Sequence, residues 1–288
     1  MDAVLMWFKR RKTEILIFVM LFLAGASFHH LIEYDNTASR YFLLGAIVDY
    51  QMLNIDAFQK GTIDKAMWNA HYYSSKAPGA SFLGIPVYWF LRNWTPLRYS
   101  NPLEQLELYI VRVMTTTLLF ALLGVVLYRL ARFCGASSRD AFLMVIAYGF
   151  GSIALLHATL FSGHQIAASL SFFSFALLVC LSANEKNTEG GHWYYGFLAG
   201  LFAGLAVLTD YTAVVIALSL TVYVILSRIG NRDKVGFLCG GFVWILVLAA
   251  YNLACFGHPF SFSYEHQVYE HFKEGTAHGI LGIGFPRL

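Results

Sequence analysis

The sequence predicts an all-α integral membrane protein of about seven transmembrane helices, with one long loop between the first and the second. Three observations carry this reading. Of 288 residues, 58% are hydrophobic and only 13% charged, with a mean hydropathy of +0.57, far from the balance of a soluble domain. Seven apolar runs, at 15–32, 108–130, 141–156, 166–182, 194–208, 211–226 and 235–255, approach the roughly 20 residues needed to cross about 30 Å of hydrocarbon. The Lys and Arg residues of the connecting segments fall on one side when those runs alternate in direction.

The first run follows Lys9, Arg10, Arg11 and Lys12, and Ala24-Gly25-Ala26 resembles a signal-peptide cleavage site. Its apolar core is longer than a signal core, and the parity of the later runs needs this crossing. A retained helix with its N-terminus inside is therefore expected. The segment "YRLARFCGASSRD" then places Arg129, Arg132 and Arg139 in the cytoplasm, and "SRIGNRDK" does the same for Arg228, Arg232 and Lys234. This alternation holds only if the fourteen-residue run 78–91 does not cross. That run ends in Tyr88, Trp89, Arg92 and Trp94, the aromatic and basic side chains of a helix lying at headgroup level.

Residues 33–106 thus form the first extracytoplasmic loop, and it is expected to contain interfacial helices. Within it Tyr41, Leu44, Val48, Met52 and Ile55 recur at three- and four-residue spacing, as on an amphipathic helix. Asp35, Thr37 and Ser39 are candidate N-caps for that helix.

Composition also excludes function classes. A formal charge of +3 is too small for a nucleic-acid partner. Cys134, Cys180, Cys239 and Cys255 lie in or beside apolar runs without metal-type spacing and read as packing residues. The centres of the runs carry no Asp, Glu, Lys or Arg, which weakens an ion-coupled transporter reading. The unusual polar residues instead sort to the outer ends: His29, His30, Glu33, Asp35, Arg40, Asp64, Lys65, His71, Lys76, His157, His164, Asp210 and His258. Carboxylates, cations and histidines at a membrane surface suit chemistry on an amphiphile with a phosphate head: cations neutralise the phosphate, and a carboxylate takes a proton from an acceptor.

The stretch "YDNTASRYFLLGAIVDYQMLNIDAF", followed by "IDKAMWNAHYYSSKAPGASFLGIPVYW", resembles the first outer loop of the glycosyltransferase C (GT-C) superfamily, near the aminoarabinose transferases and protein O-mannosyltransferases. "HATLFSGHQIAASL", "GLAVLTDYTAVV" and "YNLACFGHPFSFSYEH" resemble later outer segments of the bacterial members. The acidic pair of the aminoarabinose transferases is Asp35-Asn36 here, with a longer spacing to Arg40. The resemblance implies an inverting glycosyltransferase of the bacterial-type cytoplasmic (inner) membrane. It would use a polyprenyl-phosphate sugar at the extracytoplasmic face and transfer it to a glycan, lipid or protein acceptor. Membrane lipid and the lipid-linked donor are then its partners, with no nucleic acid, no cofactor and no metal. Residues 1–288 would be one transmembrane module, expected to be the N-terminal part of a longer protein of this type. The alternatives are a non-enzymatic lipid-binding protein, such as a flippase or assembly scaffold, or an inactive fragment.

On this resemblance Asp35 is the catalytic carboxylate, with helix capping as its alternative role. Lys76, ahead of the helix start Ala77-Pro78-Gly79, is the donor-phosphate ligand, or else an interfacial anchor. Arg40 joins it, or is a solvated arginine on the polar side of the loop helix. Asp64, His71, Tyr72, Tyr73, His164, Asp210 and His258 are possible pocket residues. Of these, Asp210 could equally complete the turn "LTDYT", and His71, Tyr72, Tyr73 and His164 could be ordinary interfacial side chains.

Overall fold

The described part of each apolar run is largely helical in the computed structural model, which describes residues 11–28, 34–94, 105–183 and 193–270. Lys9, Arg10, His29, His30 and Glu33 lie outside the described residues. In chain order the elements are α1 (Lys12–Ala26), α2 (Asp35–Tyr50), a 3-10 turn (Asp56–Gly61), β1 (Lys65–Trp68), β2 (His71–Ser74) and α3 (Gly79–Trp94). Then come α4 (Gln105–Arg112), a π-turn (Val113–Thr117), α5 (Leu118–Phe133), α6 (Ser138–Phe150), α7 (Ala154–Ala158) and α8 (Gly163–Ser182). The chain continues through α9 (Trp193–Thr209), a 3-10 turn (Tyr211–Ala213), α10 (Val214–Leu226), α11 (Asn231–Phe256) and a 3-10 turn (Ser263–His266). Among the described residues, Leu106–Phe133, Gly163–Ser182 and Asn231–Phe256 are long and apolar enough to cross a membrane, while Trp193–Thr209 and Tyr211–Leu226 are apolar but shorter. The expected run 141–156 is split, since α6 ends at Phe150 before the single turn of α7.

The loop after α1 departs from an all-α reading. Lys65–Trp68 and His71–Ser74 pair as an antiparallel hairpin whose two connecting residues, Asn69 and Ala70, both have positive φ, 48° and 65°, as a tight hairpin turn requires. The helix before it is no surface helix either. α2 starts at Asp35, with Tyr34 rather than Asp35, Thr37 or Ser39 at its N-cap, and stops at Gln51 in the left-handed region, so Met52 and Ile55 lie beyond its end. Every residue of α2 from Thr37 to Ala46 is buried. One face, with Tyr41 and Leu44, packs into a core shared with α3, α4, α8 and α9. The other, with Ala38, Phe42 and Ala46, meets Ile55, the hairpin and the end of α11. Protein therefore covers both faces of a helix expected to lie on the membrane.

α3 keeps an outward face of Trp89, Phe90 and Trp94 while burying Tyr88 and Leu91. A polar network anchors its C-terminal half: Tyr88 donates to Asp49 at 2.8 Å, and Arg92 bridges Asp49 at 3.2 Å to Glu107 at 3.6 Å. Arg112, one turn inside the run read from 108, is buried and donates to the carbonyls of Gly25 at 2.8 Å and Phe28 at 2.6 Å. It thereby satisfies acceptors that the end of α1 leaves open and fixes where the first loop begins.

α9 and α11 meet through glycines. A Cβ on Gly200 would lie 2.0 Å from the Phe237 carbonyl oxygen, and one on Gly240 would lie 2.1 Å from that of Phe197. Small residues let helix backbones in a membrane approach this closely, and van der Waals packing then holds them. Gly200→Ala is expected to destabilise the protein by about 1–3 kcal/mol through overpacking, read as a lowered unfolding midpoint in detergent. Gly241→Ala, whose Cβ meets nothing nearer than 3.8 Å, should leave the midpoint close to wild type.

Candidate active site

At the N-terminal end of α8, where α2, β2 and the α9–α10 turn converge, sequence-distant charges are brought together. Arg40 is only 3% exposed. Its Nη1 donates to the carbonyl and the side-chain oxygen of Asn36, and its Nε has no hydrogen-bond partner among the described residues. Gly163 passes so close that an added Cβ would stand 2.7 Å from Arg40 Nη2. Burial pulls the guanidinium below its ordinary value, and the charges of Asp210, Tyr264, Asp64 and Tyr211 oppose that shift. Arg40 is thus not the solvated arginine of the alternative reading.

Lys76 pairs with Asp64 at 2.9 Å, the two side chains being 13% and 5% exposed. Burial lowers the ammonium from its usual value; Asp64 and Asp210 act against this, while Arg40 adds to it. Serines shape the backbone around the pair. Ser39 donates to the Asp64 carbonyl at 2.6 Å and shares a hydrogen bond with Ser74 at 2.8 Å, and Ser263 donates to the Ser75 carbonyl at 2.8 Å. Ser81, in the first turn of α3, donates to the Arg40 carbonyl at 2.7 Å. A Cβ on Gly79 would lie 2.7 Å from the backbone of Leu208 and Thr209, so the helix start after Lys76 sits directly against the end of α9.

Asp210 both makes its turn and faces the cluster. Its Oδ1 accepts from Thr212 N at 3.1 Å and Thr212 Oγ1 at 2.8 Å, while Oδ2 stands 2.5 Å from His164 Nδ1. Asp210 is buried, whereas the His164 side chain is 54% exposed. Burial alone would raise the carboxyl; hydrogen bonds from His164 and Thr212 and the charge of His164 outweigh it and bring Asp210 down to about 2.

Asp35 lies beside this group. Its Oδ1 accepts from Ile63 N at 2.8 Å and its carbonyl from Thr62 Oγ1 at 3.0 Å. Asp35 therefore holds the residue before Asp64, and Asp64 holds Lys76. Tyr264 was not foreseen. Its segment returns after α11 through an isolated bridge between Gln267 and Ala66. Its ring meets Tyr211 at 5.5 Å. Burial and Asp210 raise its hydroxyl, and Arg40 opposes them.

Other expected pocket residues lie elsewhere. His71 is at the hairpin tip, paired with Asp56 at 2.6 Å, three residues along the strand from Ser74 or about 10 Å at strand rise. Tyr72 carries the Lys65 ammonium 5.0 Å over its ring, and Tyr73 meets Phe256 in a tilted ring contact with centroids 5.3 Å apart. His258 is exposed in the turn after α11, accepting from Phe260 N at 3.3 Å. Among the described residues no three His, Cys, Asp or Glu side chains are grouped to hold a metal ion. An apolar groove of about 240 Å³ between α9, α10 and α11 includes Leu208 and Val214, on either side of Asp210, as well as Thr221, Phe237 and Ile245.

The lowered carboxyl of Asp210 gives a pH signature. A folded-state value below the ordinary 3.8 contributes stability that is present above the unfolded value and is lost as pH falls through about 2. Asp210→Asn is expected to lose about 2 kcal/mol at neutral pH. In unfolding measurements, the gap to wild type should shrink below pH of about 4.

The dolichyl-phosphate-mannose-protein mannosyltransferase family matches residues 88–253, more than half of the 288-residue chain. The matched stretch holds His164 and Asp210, while Asp35, Arg40, Asp64 and Lys76 precede it. No curated protein and no solved structure matches. By this match and its apolar helices, the chain is an integral membrane protein and belongs to the dolichyl-phosphate-mannose-protein mannosyltransferase family, a family of GT-C membrane glycosyltransferases.

Proposed function

We propose that the protein transfers a sugar from a polyprenyl-phosphate donor to an acceptor hydroxyl, with inversion, at the outer face of a bacterial-type cytoplasmic membrane. One observation carries the reading: two buried cations, Arg40 and Lys76, share a site with Asp64 and Asp210, beside a loop carboxylate, Asp35, that closes onto the same backbone. Cations held out of water and already oriented stabilise charge on a phosphate far better than solvated ones. The basic segments that follow α5 and α10 support an inside location for the opposite helix ends.

In this reading Lys76, with Arg40, receives the donor phosphate. The acceptor oxygen attacks the anomeric carbon from the side opposite the phosphate, and Asp35 takes its proton. The bond from the anomeric carbon to the phosphate oxygen breaks, its electron pair leaving with the polyprenyl phosphate. A single displacement of this kind inverts the centre. Asp35 suits the role because the Ile63 amide fixes one oxygen of its carboxylate at the start of α2. The prenyl chain would follow the groove from Leu208 and Val214 toward Thr221.

Transfer of labelled sugar from a polyprenyl-phosphate donor by the purified protein tests the reading. Asp35→Asn is expected to cost about 10²–10⁴ in rate with the fold retained, while Asp56→Asn, whose contacts with His71 and the Tyr72 amide are confined to the hairpin tip, keeps activity. Lys76→Ala should weaken donor use by about 1.5–3 kcal/mol. Lys65→Ala, whose ammonium is held by Gln59, should do little. Full activity in both Asp35→Asn and Lys76→Ala would refute these assignments.

A further inference from the structure

The cations of this site are already balanced. Arg40 and Lys76 bring two positive charges, and Asp64 and Asp210 bring two negative ones, each carboxylate acting on both cations or paired with one. With His164 neutral, these four charges cancel, and the Asp35 carboxylate beside them adds a further negative charge. A phosphodiester head, which is singly anionic, would then enter a site with no net attraction for it. His164 is the group that changes this. Its Nδ1 is committed to Asp210 at 2.5 Å, which orients the ring and leaves Nε2 as the other nitrogen. The side chain is 54% exposed, so the imidazole is within reach of a ligand from solution. Gly163 next to it is pressed against Arg40, and Asp210, which holds the imidazole, acts on both cations.

We propose that His164 is a third phosphate-binding cation of this site, present only when its imidazole is protonated, so that one proton switches the net charge that holds the phosphodiester of a lipid-linked sugar. The proposal rests on the glycosyl-transfer reading for the identity of the ligand, and on the charge arrangement for the switch. The titratable groups that face His164 are Asp210 from the α9–α10 turn and His157 from α7, with ring centroids 5.3 Å apart; Arg40, Lys76, Asp64 and Tyr264 belong to the cluster on which Asp210 acts, and Asp35 lies beside it. Asp210 is lowered to about 2 and stays ionised through the neutral range. Arg40 does not titrate in that range. Imidazole is the side chain whose charge ordinarily changes between about pH 5 and 8.

Citronellyl methyl phosphate is a suitable probe, because a phosphodiester keeps one charge across this range and any pH dependence then belongs to the protein. Its binding to the purified full chain in detergent would be measured by calorimetry at about pH 5.5 and 8.5, for wild type, His164→Gln and His164→Lys. Wild type is expected to bind about tenfold or more tightly at the lower pH. His164→Gln should bind weakly at both, and His164→Lys, a fixed cation, tightly at both. Unfolding midpoints check that the variants fold. Equal wild-type binding at the two pH values, or wild-type pH dependence retained in His164→Gln, would overturn the proposal. Failure of sugar transfer alongside the expected binding pattern would count against the transfer reading and leave the switch in place.

Discussion

The site depends on the burial of one guanidinium. Arg40 stands on a helix covered on both faces, and arginine does not shed its proton to escape a poor environment. A charge taken out of water must be compensated where it stands. The fold supplies that compensation from distant parts of the chain: Asn36 from the preceding turn, Asp64 from the loop ahead of the hairpin, and Asp210 from the turn between α9 and α10. Those carboxylates in turn hold Lys76 and His164. Placing an arginine at the centre of α2 therefore obliges the loop, the hairpin and two helix ends to converge.

The convergence also accounts for how the loop is built. Arg112 and Tyr109 close the end of α1, and Asp49, Arg92 and Glu107 pin α3 to α2 and α4. The Asp56 carboxylate clamps the hairpin tip through His71 and the Tyr72 amide. These contacts fix the ends of the loop elements, and the hydrogen bonds of Ser39, Ser263 and the Ile63 amide hold the backbone and carboxylate around Lys76 and Asp35, so the charges are held ready before any ligand arrives. Preorganisation of this kind is the largest single contribution many enzymes make to stabilising developing charge.

Long apolar runs were legible because their signal is local: the described part of each of the seven runs is largely helical, and the glycosyltransferase C likeness is upheld by the family match. The hairpin was not legible, because its turn is Asn69-Ala70 and lacks the glycine that usually marks such a turn. The spacing of Tyr41, Leu44 and Val48 pointed to a one-sided helix. Nothing local revealed that Ser39 and Arg40 on its other side are buried as well, since their partners, the Asp64 carbonyl and Asp210, come from remote segments. Of the expected pocket residues, Asp64, His164 and Asp210 share the cluster with Arg40 and Lys76, while His71, Tyr72 and His258 do not. Their chemistry was right for such a pocket; their distance along the strand or beyond α11 was not readable from residue type. Tyr264 had no signal of its own, because its place depends on the chain turning back to bridge Gln267 with Ala66.

The central claim is that Arg40 and Lys76 form the receptor for a lipid-linked phosphate. Its most direct test is a cryo-electron-microscopy structure of the protein with polyprenyl phosphate bound in a lipid nanodisc. The account predicts phosphate oxygens within about 3 Å of Lys76 Nζ and of the Arg40 guanidinium, with the prenyl chain leaving past Leu208 and Val214. A phosphate seated away from both cations, for instance beside Arg129 at the opposite end of α5, would contradict it.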